Sequence, residues 1–130
     1  MSVFNEAELA YLRARPGLAR IATVGRDGTP HVTPVGWSLD PSAEVIEVGG
    51  INLAATKKFR DVARGGRAAI VIDDLLSTSP WRPRGIEIRG RAEAVTDPEP
   101  RIRIHPERII SWGFDGAGAR TVVRRNAAPQ

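Results

Sequence analysis

The segment 86–94 alternates strictly between apolar or small side chains and charged ones. Its two sets are Ile86, Ile88, Gly90, Ala92 and Ala94, and Glu87, Arg89, Arg91 and Glu93. Successive side chains of a β-strand point to opposite faces of the sheet, so this period of two predicts a strand with one face in a core and the other in solvent. On a helix the same charges would lie on two opposite sides and interrupt any apolar face. The chain must therefore contain further strands that pair with this one.

Stretches rich in Val, Ile and Thr predict the other strands. They span residues 18–25, 31–39, 44–49, 67–73, 101–105 and 108–114, with Pro106 between the last two. The Asp27-Gly28 pair predicts a hairpin turn after the first. Pro34 and Gly36 lie inside the second, and because proline cannot donate a hydrogen bond to a sheet, we expect this strand at an edge or beside a ligand. The nearly continuous apolar stretch 67–73 predicts a strand buried on both faces.

Two helices are predicted between the strands. The first covers residues 5–14, between an Asn5 cap and Pro16-Gly17. The second covers residues 57–64, from a Thr56 cap to Gly65-Gly66. The apolar side of this second helix consists of Phe59, Val62 and Ala63.

Short strands joined by tight turns, with one helix inserted after the third strand, predict a mainly β (α+β) fold: a small antiparallel barrel. Helices do not alternate with strands, which argues against a parallel α/β sheet. With 130 residues, 42% of them hydrophobic, we expect one domain over residues 1–130. The end of the chain, from about residue 124, is predicted to be a mobile tail.

Several classes of function lack the residues they need. The chain has no cysteine, which excludes disulfides, thiolate metal sites and cysteine nucleophiles. His31 and His105 are its two histidines, far apart and without metal-ligand spacing to carboxylates, so no metal site is predicted. Asp73-Asp74 is interpreted as a polar strand end. Serine-nucleophile, dinucleotide-binding and P-loop motifs are absent, so an enzyme of this sequence would take its reactive atom from a cofactor.

The hydropathy, the N-terminal residues and the net charge bear on the location of the protein and on its ligands. No apolar stretch approaches the ~18 residues that a membrane span needs, and the first residues lack the features of a signal peptide, so we expect a cytoplasmic protein. The formal net charge is +4. This excess of positive charge suits an anionic ligand, and it equally suits an arginine-rich surface in water.

The segment Thr56-Lys57-Lys58 is the most informative local feature. A helix N-terminus carries positive potential and free backbone N–H groups, so acidic residues are favoured there. Two lysines in the first turn oppose that preference unless an anion such as a phosphate binds between them. An ordinary exposed lysine pair is the alternative, and the segment alone leaves both open.

Trp81, Trp112 and Phe114 are the aromatic candidates for a binding surface. Aromatic residues in so small a domain more often belong to a core or to a dimer interface. Trp81, however, lies in the polar segment 77–84 beside two arginines, where a core position is less expected.

Four segments together resemble the pyridoxamine-phosphate-oxidase-like split-barrel family, and most of all its actinobacterial branch of deazaflavin (coenzyme F420)-dependent reductases. They are 28–35 (GTPHVTPV), 56–62 (TKKFRDV), 80–93 (PWRPRGIEIRGRAE) and 101–113 (RIRIHPERIISWG). The resemblance covers about residues 5–122. It implies a split antiparallel β-barrel of the FMN-binding type with an N-terminal helix and one short inserted helix.

The resemblance also implies a site. The family forms homodimers with two cofactor sites between the barrels, and the flavin or deazaflavin ring would lie along Pro34, Val35, Gly36 and Trp37. The cofactor phosphate would bind at Thr56, Lys57 and Lys58. The second subunit would contribute Trp81, Arg84 and Trp112. The other partner would be a small-molecule substrate, with no nucleic acid and no membrane.

Departures from the family bear on the cofactor and the substrate. Pyridoxamine-phosphate oxidases carry an Arg and a Lys on the second strand for the flavin phosphate, whereas Val32 to Trp37 contains no cation here. Their terminal Arg-Leu-His-Asp-Arg corresponds to residues 120–124, where Val122 replaces the histidine. Oxidation of vitamin B6 is therefore not expected, and coenzyme F420 is favoured over FMN.

The leading hypothesis is hydride transfer from reduced F420 to a small conjugated organic substrate. An FMN-dependent oxidase or reductase of the same fold is the alternative, and a non-catalytic cofactor- or nucleic-acid-binding barrel is a third. No catalytic residue is assigned; Arg84, His31 and a bound water are the candidate proton donors.

Overall fold

The computed structural model describes residues 2–14, 17–114 and 122–127. Two α-helices, eight β-strands and one 3₁₀ turn are formed in this part of the chain. In order they are α1 (Glu6–Arg13), β1 (Ala19–Val24), β2 (Pro30–Val35), β3 (Trp37–Asp40), β4 (Val45–Val48), the 3₁₀ turn Leu53–Ala55, α2 (Lys57–Gly65), β5 (Arg67–Thr78), β6 (Trp81–Val95), β7 (Arg101–Trp112) and β8 (Val122–Asn126).

The strands form one antiparallel sheet whose two ends are adjacent in the chain. Their order is β2-β1-β5-β6-β7-β4-β3, and β8 also pairs with β7. β2 and β3 occupy the two ends, yet only Gly36 separates them in sequence. The sheet must therefore curl until its ends meet at Gly36, which gives the expected split β-barrel. The edge position predicted for the strand with Pro34 is confirmed.

Isoleucine dominates the interior of the barrel. Ile86 and Ile88 of β6 are fully buried, as their alternation with charged residues predicts. The facing strands contribute the same residue type, among them Ile21, Ile46, Ile70, Ile72, Ile102, Ile104 and Ile109. β-Branched side chains pack well on a pleated surface and have restricted rotamers, so they lose little freedom there. Tyr11 and Leu12 of α1 are buried against this core.

Both predicted helices are present with the expected caps. In α1 the Asn5 side chain accepts from the backbone N–H of Glu8, while the Glu8 carboxylate accepts from that of Asn5, which completes a capping box. α2 ends at Gly66 in the left-handed conformation, with φ of 70°. The apolar side expected for α2 is partly wrong, because Ala63 is exposed and Asp61 is buried instead. Pro16, expected at the end of α1, lies outside the described residues.

Three strand predictions differ from the structure. The stretch 31–39 is two strands, because the backbone turns at Gly36 from one end of the sheet to the other. Residues 101–105 and 108–112 belong to one strand, β7, in which Pro106 pairs with Gly90 at a bulge. Gly90 permits that close approach: a Cβ there would lie 1.9 Å from the carbonyl oxygen of His105.

β5 and β6 extend further than expected and form a hairpin arm, residues 73–84. β1 pairs with β5 only as far as Ile72, and β7 pairs with β6 only from Gly85, so the arm projects beyond the rest of the sheet. Asp73-Asp74 therefore lies within a strand and not at its end. The side chains of Ala69 and Val71 point away from the core and are only half-buried. In the single chain, residues 67–73 therefore do not have the two buried faces that the sequence predicts.

Residues 124–126, the first part of the predicted mobile tail, belong to β8, which pairs with β7. Residues 128–130 lie outside the described part. No helix in residues 2–14, 17–114 and 122–127 is long and apolar enough to cross a membrane.

Candidate functional site

The start of α2 faces the first two strands across an open cleft of about 310 Å³. Its lining residues come from three elements: Ile21 and Thr23 of β1, His31, Val32 and Thr33 of β2, and Thr56, Lys57 and Lys58 at the start of α2. The structure thus brings the lysine pair of the sequence prediction next to the second strand. We call this the lysine cleft.

Thr56 fixes the geometry of the helix start but offers no free hydroxyl proton. Its Oγ1 accepts from the backbone N–H of Phe59 at 3.4 Å and donates to the carbonyl of Leu53 at 2.6 Å. The first N–H groups of a helix have no partner inside the helix, so those of Lys57 and Lys58 remain available to a ligand. The donors for an anion at this helix start are therefore backbone N–H groups and the two ammonium groups.

The two lysines have different electrostatic surroundings. The ammonium of Lys57 lies 3.9 Å from a carboxylate oxygen of Asp61, one turn further along α2. For Lys58 no carboxylate lies within ion-pair distance among the residues that the structure describes. Within that part of the chain Lys58 thus has no counter-charge, whereas the charge of Lys57 is partly offset by Asp61.

His31 and Thr33 lie on the side of β2 that faces the cleft. They pair in register with Thr23 and Ile21 of β1, which line the cleft beside them. The imidazole packs over Gly25, where an added Cβ would lie 2.8 Å from its Nε2 atom. His31 is therefore half-buried against the cleft wall and does not project freely into solvent.

The predicted ring-binding stretch alternates between exposed backbone and buried side chains. Pro34 and Gly36 are exposed, whereas Val35 and Trp37 are each 6% exposed. The indole N–H of Trp37 donates to the carbonyl of Gly17 at 2.8 Å. Only Pro34, Gly36 and the backbone of this stretch are thus open to a ligand.

A second cleft, of about 490 Å³, lies at the barrel end beyond this stretch. Gly36, Trp37 and Ser38 line one side, and residues 47–50 and 99–101 line the rest. The stretch 34–37 therefore runs from the strand that borders the lysine cleft to this second cleft.

Arg84 is held by two other side chains of the same chain. Its Nε and Nη2 atoms donate to the two carboxylate oxygens of Asp74 at 2.9 and 3.1 Å, and its guanidinium carbon lies 5.2 Å from the ring centroid of Tyr11. The hydroxyl of Tyr11 also donates to Asp74, at 2.8 Å. The hydrogen bond from Arg84 holds the pKa of Asp74 below its usual range, while burial and the bond to Asp74 raise the pKa of Tyr11.

Trp81, Arg84 and Trp112 do not line the lysine cleft in this chain. Trp81 begins β6 near the tip of the hairpin arm and is 66% exposed. Trp112 ends β7 and packs on Gly85, where a Cβ would lie 2.9 Å from its ring. Whether a second subunit presents these residues to the cofactor stays a prediction.

The other titratable candidates are bound within the fold. His105 lies 3.1 Å from a carboxylate oxygen of Glu93, and Asp73 forms an ion pair with Arg20 at 3.0 Å. No group of three His, Asp or Glu side chains suited to a metal occurs in the described ranges.

The buried carboxylate beneath the lysine cleft is not predicted from the sequence. Asp61 accepts from the hydroxyl of Thr23 at 2.9 Å and from Arg64 at 3.1 Å. The spacing of four residues between Lys57 and Asp61 was the available signal, because side chains four apart on a helix are neighbours.

Comparisons with known proteins agree with this architecture. The family model described as pyridoxamine 5'-phosphate oxidase matches residues 6–128. A 5a,11a-dehydrotetracycline/5a,11a-dehydrooxytetracycline reductase of Streptomyces rimosus is 38% identical over 122 residues, which cover 87% of this chain and 85% of that protein.

Two solved structures share the fold at lower identity. An FAD-binding protein from Mycobacterium smegmatis superposes with a TM-score of 0.62 at 21% identity, over 83% of this chain and 93% of its own. An F420 reductase superposes with a TM-score of 0.58 at 21% identity, over 76% of this chain and 93% of its own. The sequence match over nearly the whole chain, on a split barrel of the same architecture, means that this chain belongs to the pyridoxamine 5'-phosphate oxidase family.

Proposed function

We propose that the protein is an oxidoreductase that uses reduced coenzyme F420 to transfer a hydride to a small conjugated organic substrate. The observation that carries the proposal is the lysine cleft, where Lys57, Lys58 and the first N–H groups of α2 lie beside the second strand. Such a helix start binds phosphate through its N–H groups and its positive potential. We therefore propose a cofactor that has a redox-active ring and a phosphate on the side chain of that ring.

The residues present fit the phosphate of such a cofactor. Lys57 and Lys58 supply two charge-assisted donors, and the backbone N–H groups of the first turn of α2 supply further ones. The hydroxyl of Thr33 lies on the same side of β2 as His31, at the cleft wall. Thr56 acts indirectly, because its side chain fixes the direction of the helix start.

The stretch 34–37 suits a flat ring beside it. Pro34 donates no hydrogen bond and Gly36 has no side chain, so a ring can approach the backbone closely at both positions. No atom lies within 4 Å of where a Cβ of Gly36 would be, which leaves room for a ligand. When bound, a reduced deazaflavin supplies the hydride, and the barrel wall would orient the ring and exclude water from one of its faces.

The relative from Streptomyces supports the reaction class. Its name describes reductases of dehydrotetracyclines, and a reductase acting on a dehydro compound adds a hydride and a proton. A conjugated organic substrate for our chain agrees with this activity. Among the described residues we assign no proton donor; His31 lies nearest the lysine cleft and Arg84 is engaged with Asp74.

Coenzyme F420 is preferred over FMN for a reason in the sequence. Val32 to Trp37 carries no cation that could grip a flavin phosphate from the second strand. Both an F420 reductase and an FAD-binding protein share the fold, so an FMN-dependent reaction remains the alternative.

We also propose that the protein acts as a homodimer. The hairpin arm exposes Leu75, Leu76 and Trp81 beyond the sheet, and exposed apolar side chains that cluster on a projecting element favour a partner. A second copy would place this arm near the cofactor of its partner, as the family resemblance implies.

Titration of the purified protein with F420 and with FMN tests the proposal. We expect F420 to bind with a dissociation constant below ~100 μM and more tightly than FMN. Protein loaded with reduced F420 should then reduce an added conjugated ketone, and the cofactor should return to its oxidised form with recovery of the oxidised deazaflavin absorbance. A purified protein that is yellow with a flavin spectrum would favour the FMN alternative, and failure of both cofactors to bind would exclude the proposal.

A further inference from the structure

α2 buries a carboxylate directly beneath the lysine cleft. Asp61 is 2% exposed and faces β1, on a side of the helix where the sequence predicts only apolar residues. Charged groups are rarely buried without partners, because removing a charge from water is costly. The partners of Asp61 therefore explain how the charge is tolerated.

Thr23 connects this carboxylate to the cleft. Its hydroxyl donates to Asp61 at 2.9 Å, and the same residue lines the cleft. A hydroxyl has one proton to donate, so toward the cleft the oxygen of Thr23 can only accept. An acceptor does not bind a phosphate oxygen, and the negative charge behind it opposes an anion further.

Asp61 carries its charge at neutral pH. Burial alone would raise its pKa, but the hydrogen bonds from Thr23 and Arg64, with the charge of Lys57, outweigh burial and lower the pKa. The cleft thus holds two lysines above a buried carboxylate that is also paired with Arg64 at 3.1 Å and that solvent screens poorly.

Asp61 could also act by holding Lys57 in place, but this effect is the smaller one. The Lys57 side chain is 54% exposed and its ammonium is 3.9 Å from Asp61. An ion pair at this distance, with its lysine in water, restrains the lysine side chain little. Removal of the carboxylate charge should therefore change the electrostatic potential of the cleft more than it changes the position of Lys57.

We propose that the buried carboxylate of Asp61 limits the attraction of the lysine cleft for anions, and that it thereby sets how strongly the site prefers a phosphorylated cofactor to the phosphate-free form. This inference rests on the proposed function. It makes Asp61 a specificity-determining residue that touches neither the ring nor the phosphate.

The test compares pairs of ligands that differ by their phosphate-bearing part. Dissociation constants for FMN and riboflavin, and for F420 and its phosphate-free deazaflavin, are measured by fluorescence at fixed ionic strength in wild type and Asp61→Asn. The asparagine amide still accepts from Thr23 but carries no charge. For each pair, the ratio is the dissociation constant of the phosphate-free ligand divided by that of the phosphorylated ligand. We expect this ratio to be about tenfold larger in Asp61→Asn than in wild type.

An unchanged or smaller ratio in Asp61→Asn would overturn the inference and leave the proposed function standing. A wild-type protein that does not prefer either phosphorylated ligand would overturn both. The matched control is Glu8→Gln, because Glu8 is a second buried acid, bound to Ser111 and Arg125, which do not line the cleft. Glu8→Gln should lower stability without changing the ratio. If Asp61→Asn does not fold, Asp61→Ser provides the second uncharged variant, with the same expected rise and the same contradicting outcome.

Discussion

Lys57 and Lys58 are neighbours in sequence but differ in the charge that surrounds them. Lys57 faces the buried carboxylate of Asp61, whereas Lys58 has no carboxylate within ion-pair distance in the described ranges. The sequence indicates that a helix begins with two lysines. It cannot indicate whether a nearby carboxylate offsets the charge of either lysine. That depends on the burial of Asp61, which follows from the packing of α2 on β1 and not from any local pattern.

We expect Lys58→Ala to weaken binding of the phosphorylated cofactor more than Lys57→Ala, because within the described ranges Lys57 has a carboxylate within ion-pair distance and Lys58 has none. The double variant should lose roughly 1–3 kcal/mol of binding free energy for each charge-assisted contact removed. Calorimetric titration measures both effects, and thermal unfolding should be nearly unchanged. Arg91→Ala, an exposed cation on β6, is the control for net charge. Undiminished binding in the double variant would contradict the site.

Gly36 tests where the ring lies. An added Cβ there would meet no atom within 4 Å in the protein alone. We therefore expect Gly36→Ala to fold as wild type but to bind the cofactor at least about tenfold more weakly, since a methyl group would occupy the path of the ring. Gly65→Ala, at the end of α2 and equally free of contacts, should bind normally. Normal binding by Gly36→Ala would move the ring elsewhere.

At the scale of the elements, local sequence patterns predict whether a segment forms a helix or a strand. The ends of the strands depend on how each strand pairs with its neighbours in the sheet. The alternation of β6, the caps of α1 and α2 and the hairpin turn after β1 are all local, and all are present. The break predicted at Pro106 is absent because Gly90 on the neighbouring strand allows a bulge at that point. β8 was missed because its residues become a strand only by pairing with β7.

The ends of the described fold are joined by one buried ion pair. Glu8 of α1 accepts from the hydroxyl of Ser111 on β7 at 2.6 Å and is paired with Arg125 on β8. Burial would raise the pKa of Glu8, but the hydrogen bonds from Arg125 and Ser111 outweigh it and hold the pKa below its usual range. This pair thus attaches the first helix to the last two strands.

The lowered pKa gives the pair a pH dependence of known sign. Because the folded-state pKa lies below the unfolded one, the stabilisation is complete above the unfolded value of ~4.3 and is lost as the pH falls through the folded value. Urea unfolding at pH 7 and pH 3 should therefore show a smaller acid-induced loss in Glu8→Gln than in wild type. At pH 7 the same variant should be less stable by about 3 kcal/mol. Equal acid-induced losses in the two proteins would contradict this role for Glu8.

At the scale of the whole molecule, closure of the barrel was beyond local reasoning. Proline and glycine in the second predicted strand indicated an edge or a ligand, and both edges of the sheet are indeed formed there. One stretch of sequence supplies both edges because the chain turns at Gly36 from one edge strand to the other. This arrangement depends on the order of all the strands in the sheet. The family resemblance carried this part of the prediction, because it implied a split barrel.

The exposed hairpin arm makes the oligomeric state testable. We expect sedimentation equilibrium to give the mass of two chains, because Leu75, Leu76 and Trp81 would otherwise remain in water. Leu76→Ser together with Trp81→Ser should shift the equilibrium to monomers and weaken cofactor binding. Ile51→Ser, at an apolar residue that is 92% exposed but lies outside the arm, should leave the dimer intact. A monomeric wild-type protein would contradict the proposal.

The most direct measurement is a crystal structure of the protein with coenzyme F420 bound. The account predicts the phosphate of the cofactor in contact with Lys58, Lys57 and the first N–H groups of α2, and its ring along Pro34 and Gly36. A phosphate bound at another place, with both ammonium groups left in solvent, would contradict it.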